Sequence, residues 1–191
     1  MHNQYQEMSV PDRTDWLTGR ARGEAATERI LAAAADLLTE RGFDAVTVDA
    51  VAHRAGCSRA TLYRHVGGRQ AIVDGVLARA AADVARRVSE AVAGRSGTDR
   101  ITEAILASVI AIRGSAPLHN WVTGDRSREV DDHLAGSPRL GEIAAALTGL
   151  SPTGEAAAWT VRVVLTLLTW PLPDPESERR LVRRFVAPGF G

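Results

Sequence analysis

The chain has 191 residues, which holds one small head and one larger domain, or a single compact domain, and leaves little room for more. Hydrophobic residues make up 45% of it, enough to bury a sizeable core, which excludes a largely disordered chain. Basic and acidic residues balance at 23 each, so whole-chain charge advertises no nucleic acid and any basic footprint must be local.

Residues 1–24 are polar and weakly patterned, with Arg13, Arg20 and Arg22 near their end, and are predicted to form a flexible arm. They contain no uninterrupted apolar run, so neither a secretion signal nor a membrane anchor is expected there, and a cytoplasmic location is. From Thr27 the pattern changes. Ile30, Leu31, Ala34, Leu37 and Leu38 recur at spacings of three and four, predicting a helix over 27–41 with Thr27 as N-cap and Gly42 as a left-handed stop. Thr47 suits the cap of a second helix carrying Val48, Val51, Ala52 and Ala55, stopped at Gly56, where the backbone takes a positive φ without steric cost. Ser58 suits the cap of a third helix over 59–66, ended by Gly67 and Gly68. Two short helices separated by residues 56–58 have the spacing of a helix-turn-helix. The lone Cys57 falls in that turn; it excludes an internal disulfide and a cysteine-rich zinc site, and either replaces a small aliphatic or acts as a redox-sensitive thiol.

A long helix over 69–93 follows, with Ile72, Val76, Leu77, Ala80 and Val84 on one face, and would join the head to the rest. Beyond it the period stays helical, over 98–113, 117–122, 138–147, 153–169 and 175–185, with no alternating strand pattern. Ser137-Pro138 and Asp174-Pro175 read as cap plus first turn, and Glu176 and Glu178 lie at one dipole end of the last helix with Arg183 and Arg184 at the other. Residues 123–136, rich in charge and glycine, are predicted to be a mobile loop. The longest apolar stretch, 156–172, is interrupted by Arg162 and closed by Pro171 and Pro173, short of the ~20 apolar residues a membrane span needs. The predicted fold class is therefore all-α: an arm (1–24), a three-helix head (25–70) and a helical bundle (71–191), with no membrane partner.

The chemistry concentrates in the head. The outward positions of its third helix are Arg59, Ala60, Thr61, Tyr63, Arg64 and His65. Between Ala50 and Val73 stand four arginines (Arg54, Arg59, Arg64, Arg69) and two histidines (His53, His65) without one acid, a local charge of +4 before the histidines are counted. A phosphate-facing surface needs such an excess, because counterion release supplies most non-specific affinity for a duplex. Every basic residue in the chain is arginine, which suits bidentate contacts, although a compositional bias of the genome explains it as readily.

The segment GCSRATLYRHVGGRQAIVDGVL, preceded by a helix and by TVDAVAHRA, resembles the DNA-binding head of the TetR family of repressors over about residues 27–77. It departs at Val66, where the family usually has an aromatic, and at Gly67, Gly68 and Arg69, where a polar residue usually leads to lysine. The resemblance implies that Thr47 and Tyr63 hold phosphates at the two edges of the major groove, that Ser58, Arg59, Ala60 and Thr61 face bases beside Arg64, and that His65 and Arg69 clamp the backbone. The chemistry agrees: arginine can bond guanine O6 and N7, a threonine methyl can touch thymine, and hydroxyls and cations suit phosphate oxygens.

The resemblance also implies a homodimer through helices near 153–169 and 175–185, two recognition helices one duplex turn or a multiple apart on a near-palindromic double-stranded operator, and a small-molecule effector that tilts the 69–93 helix. Candidate effector contacts are Leu106, Ile110, His119, Trp121, Trp159, Arg162 and Val163, with Asn120, His133 and Trp170 also available. Arg162, the single charge in the apolar 156–172 stretch, is expected to meet either an acid or an anionic ligand. No cofactor or metal is expected, nor is enzymatic activity. Two rival readings stay open: an architectural DNA-binding dimer without effector, and a small enzyme using Cys57, Ser58 and His53 or His65, although no nucleophile elbow or glycine-rich phosphate loop is present.

Overall fold

A computed structural model describes residues 15–124, 138–151 and 155–190, and among these every element is helical. In chain order they are α1 (Asp15–Arg41), a 3-10 turn (Phe43–Ala45), α2 (Val48–Ala55), α3 (Arg59–His65), α4 (Arg69–Ala91), α5 (Gly97–Arg113), α6 (Ala116–Thr123), α7 (Pro138–Thr148), α8 (Glu155–Thr169) and α9 (Pro175–Leu181). A π-helical turn (Val182–Val186) and a 3-10 turn (Ala187–Phe190) continue α9, so the helix expected to run unbroken to 185 changes pitch after Leu181.

The first helix starts twelve residues earlier than its apolar periodicity suggests. Residues 15–26 lack proline and are rich in alanine and arginine, so they propagate a helix without an apolar stripe of their own. Thr27 is consequently not a cap but an internal residue, its hydroxyl donating back to the Gly23 carbonyl at 3.1 Å with the His65 carbonyl at 3.4 Å. The arm expected over 1–24 is helical from residue 15, and its first part lies outside the described residues, as does the 123–136 loop from residue 125 onward, with His133.

Ile30, Ala34, Leu37 and Leu38 of α1 close over Val46, Val51, Ala52 and Ala55, Leu62, and Ile72, Val73 and Val76 to make the head core. That core takes in the first two turns of α4, so a head boundary at residue 70 falls inside a continuous helix. The farther end of α4 enters a second packing layer, where Val88 and Val92 meet Ala104 of α5. A third cluster joins Ile101, Ile105, Leu106 and Val109 of α5 to Val122 of α6, to Val163, Val164, Leu167 and Leu168 of α8, and to Val182. No single helix among the described residues is long and apolar enough to cross a membrane.

Polar ties hold the body's helix ends. Arg100 of α5 donates to the carbonyls of Leu147 and Ala146 at 2.8 and 3.1 Å, satisfying the end of α7. Arg113 grips both oxygens of Glu178 at 2.9 and 2.7 Å and also donates to the Leu167 carbonyl at 2.8 Å, binding α5, α8 and α9 at one point. Glu178 is 3% exposed, so its charge depends on that guanidinium. Glu178→Ala should therefore destabilise the fold by about 3 kcal/mol, the low end for a broken buried pair because Arg113 keeps partial solvent contact. Urea denaturation of wild type and variant measures this, and a loss below about 1 kcal/mol would make the pair an ordinary surface contact.

Asp174 caps α9 as its sequence position suggests, accepting from the Ser177 amide and hydroxyl, each at 2.8 Å. The amide bond, then the hydroxyl bond, hold its carboxyl below the usual aspartate range. A carboxyl depressed on folding contributes stability that is present above about pH 4 and lost as pH falls through the lowered value. Asp174→Asn, which keeps an acceptor at the cap, should flatten part of the acid-side decline in melting temperature below about pH 4. An unchanged acid limb would mean that the cap does not titrate with folding.

Candidate nucleic-acid interface

Three local rules place the helix-turn-helix. The Thr47 hydroxyl accepts from the Ala50 amide at 3.2 Å and starts α2. Gly56 ends it at φ +64°, where a side chain would strain the backbone. Ser58 then starts α3, accepting from the Thr61 amide at 3.1 Å and pairing with the Thr61 hydroxyl at 2.9 Å. Leu62 is fully buried on the inner face of α3, and Cys57 packs, partly buried, against the same core in the place of a small aliphatic.

Anchoring at Leu62 turns the opposite face outward. Arg59, Ala60, Tyr63 and Arg64 are exposed on one side of α3, and Tyr63, at 56% exposed, is not a core aromatic. Thr61 is half-buried at the edge of that face, with its hydroxyl engaged by Ser58 and its methyl the remaining group to offer. His65 is half-buried too, facing α1, where a Cβ at Gly23 would meet its Cε1 at 3.9 Å. Thr47, at the start of α2, is exposed, and its hydroxyl proton remains available because the cap uses only the oxygen.

Arg69 has a structural role. Its Nε donates to the Val46 carbonyl at 2.9 Å and its Nη2 to the Phe43 carbonyl at 2.8 Å, tying the start of α4 to the chain between α1 and α2. Among the described residues its other three N–H groups, two on Nη1 and one on Nη2, meet no acceptor. Arg69→Ala should lower the stability of the DNA-free protein by about 1 to 3 kcal/mol, because two carbonyls lose a charged donor. A thermal melt without DNA tests this, and an unchanged melt would make Arg69 purely an outward contact.

The +4 counted along residues 50–73 is smaller in three dimensions. Arg54 is held by both oxygens of Glu40 on α1, each at 2.7 Å. That guanidinium holds the Glu40 carboxyl below its usual range, and Glu40 in turn raises Arg54. Arg59 forms an ion pair with Asp49 in the first turn of α2. Arg64 has no such acid partner among the described residues. Glu40 could not be found by reading a window of chain, because it lies 14 residues before Arg54. Asp49 stood one residue outside that window and reads in sequence only as a dipole-complementing acid at a helix start.

The residues expected to meet an effector divide into two groups. Leu106 and Val163 are buried in the third cluster, with Trp121 packed against it. His119 on α6 is half-buried, and its Nδ1 is enclosed without a hydrogen-bond partner among the described residues. Ile110 is instead exposed, and so are Trp159, at 53%, and Arg162. Within the chain Arg162 is not a buried charge: α8 buries one side only, and Trp159, Arg162 and Thr166, with Trp170 just past its end, share the exposed side, where Arg162 donates to the Ala158 carbonyl at 3.3 Å. A groove of about 540 Å³ lies on the outer side of α9, lined among others by Leu172, Arg179, Arg183 and Phe185, and none of the expected effector contacts borders it.

The sequence profile described as "Bacterial regulatory proteins, tetR family" matches residues 30–76, the span of the head core. An HTH-type transcriptional regulator of Mycobacterium tuberculosis is 33% identical over 183 residues, which is 92% of this chain and 90% of the relative. One of Bacillus subtilis is 51% identical over 55 residues, 29% of this chain and 28% of that one. Among solved structures, the TetR family repressor AlkX from Dietzia sp. strain DQ12-45-1b superposes with a TM-score of 0.58 at 22% identity, covering 86% of this chain and 94% of that one. AibR in complex with isovaleryl coenzyme A and operator DNA gives a TM-score of 0.53 at 20% identity, covering 85% and 98%.

Proposed function

The chain belongs to the tetR family of bacterial regulatory proteins and is a transcriptional regulator of the helix-turn-helix type, and from that premise we propose that it is a homodimeric repressor whose α3 reads a near-palindromic operator and which a small-molecule effector releases. The observation that carries the reading is the outward face of α3, where Arg59, Ala60, Tyr63 and Arg64 stand exposed on a helix fixed from behind by Leu62. Arg59 and the Thr61 methyl would meet base edges, with Ser58 and Ala60 beside them. Thr47, Tyr63 and Arg64 would take phosphates, while His65 and Arg69 support the backbone from the edge of the site.

The dimer would form through the outer faces of α8 and α9. Trp159, Trp170 and Phe185 are exposed there, three large apolar side chains that a monomer has no reason to present together. The effector would enter the third cluster, where the unpaired His119 Nδ1 offers a polar contact among Leu106, Trp121 and Val163. AibR, of the same fold, holds both isovaleryl coenzyme A and operator DNA, which supports a ligand-controlled reading. We place the head at 25–70 with the start of α4 as its last wall, and the effector and dimer functions in 71–191.

Selection of bound DNA from a random duplex pool tests the reading. Wild type should enrich an inverted repeat, and Tyr63→Ala should lose that enrichment; no enrichment at any salt would remove the operator reading. On the selected repeat, Arg64→Ala should make the affinity–salt dependence shallower by about 0.9 for each phosphate it no longer neutralises, whereas Arg54→Ala should leave it nearly unchanged because Glu40 already neutralises Arg54.

A further inference from the structure

The geometry points to Asp49 as a positioning residue that sets which base pair Arg59 recognises, an inference that rests on the reading of α3 as the base-contacting helix. Arg59 is the first residue of α3, and its Nε is ion-paired with Asp49 Oδ1 in the first turn of α2. A guanidinium carries five N–H donors in a fixed plane, so pairing at Nε leaves the two terminal nitrogens as a fork. Those two nitrogens have no partner among the described residues. A fork of that kind matches guanine O6 and N7.

An exposed ion pair stabilises a fold very little, and both partners here are exposed, so stability is a poor reason for this one. Its effect is directional. The turn that carries Arg59 is already rigid, because Ser58 is bonded to both the amide and the hydroxyl of Thr61, and the Asp49 contact removes the swing of the long side chain that remains. Asp49 also lies two residues after Thr47, at the edge where a phosphate would pass, and its charge repels that phosphate. Asp49 therefore acts twice: it keeps Arg59 from collapsing onto the DNA backbone, and it lowers affinity for sequences that offer Arg59 no base contact.

The test measures binding to the selected inverted repeat, to the set of repeats with each base pair substituted, and to a scrambled duplex at fixed salt. Asp49→Asn should lose about tenfold of the discrimination at one base pair per half-site, the share a good arginine–guanine contact carries. It should bind the scrambled duplex about two- to fivefold more tightly, because an anion beside the backbone is gone. Asp49→Glu should restore much of the discrimination, and Asp49→Asn should add no loss in an Arg59→Ala background. The melting temperature of the DNA-free variant should match wild type. Wild-type discrimination retained by Asp49→Asn at every position, or an equal loss in the Arg59→Ala background, overturns the assignment of Asp49 alone. A wild type that discriminates no sequence overturns the operator reading and this inference together.

Discussion

Ile72, Val73 and Val76 are walls of the head core, and Val88, on the same helix, is fully buried against the body. That helix is the covalent link between the two halves and carries about 24 Å of rigid backbone between Ile72 and Val88. Its first half is locked to α1. A Cβ at Gly75 would come within 2.8 Å of a Leu31 methyl, so any larger residue there would make Leu31 move, and Arg79 pairs with Glu28 across the two helices. Helix α6 packs against both α1 and α4 while contributing Val122 to the body core. A change in how the body holds α6 or the end of α4 has little slack in which to dissipate before it reaches α3.

The body is arranged so that its polar ties and its apolar faces do different things. The Arg113–Glu178 pair joins three helices at one point, beside the Arg179–Glu103 pair between α5 and α9, and it costs desolvation that only correct geometry offsets. Such a pair specifies one arrangement of α5, α8 and α9 more than it deepens the energy minimum. With those helices fixed from inside, their outer sides are free to carry Trp159, Arg162, Trp170 and Phe185, a composition that suits another surface better than water.

Much of this was legible from the chain. The caps at Thr47, Ser58 and Asp174 and the positive φ at Gly56 follow from local chemistry, and the structure has them where the sequence puts them. The all-helical class followed from periodicity, and the outward face of α3 from its one buried residue, Leu62. Four things were hidden, each for a physical reason. The early start of α1 carries no apolar stripe and so gives no periodic signal. The exposure of Arg162 and Trp159 depends on which side of an almost wholly apolar helix meets the core, which composition does not say. The neutralisation of Arg54 and Arg59 needs acids outside the window, brought there by α1–α2 and α2–α3 packing. The bonds from Arg69 to two carbonyls of a preceding loop were hidden because nothing local shows that those carbonyls face it.

The pairing of Arg54 with Glu40 has a further consequence, for time as well as for affinity. A bacterial chromosome offers on the order of a million or more competing sites, and a regulator with every arginine free would spend most of its life held on the wrong ones. An acid that stays with its arginine acts as a built-in competitor to passing phosphates. It shortens each mistaken stop, and the time saved goes to scanning: the head gives up some grip on DNA in general and reaches its own address sooner.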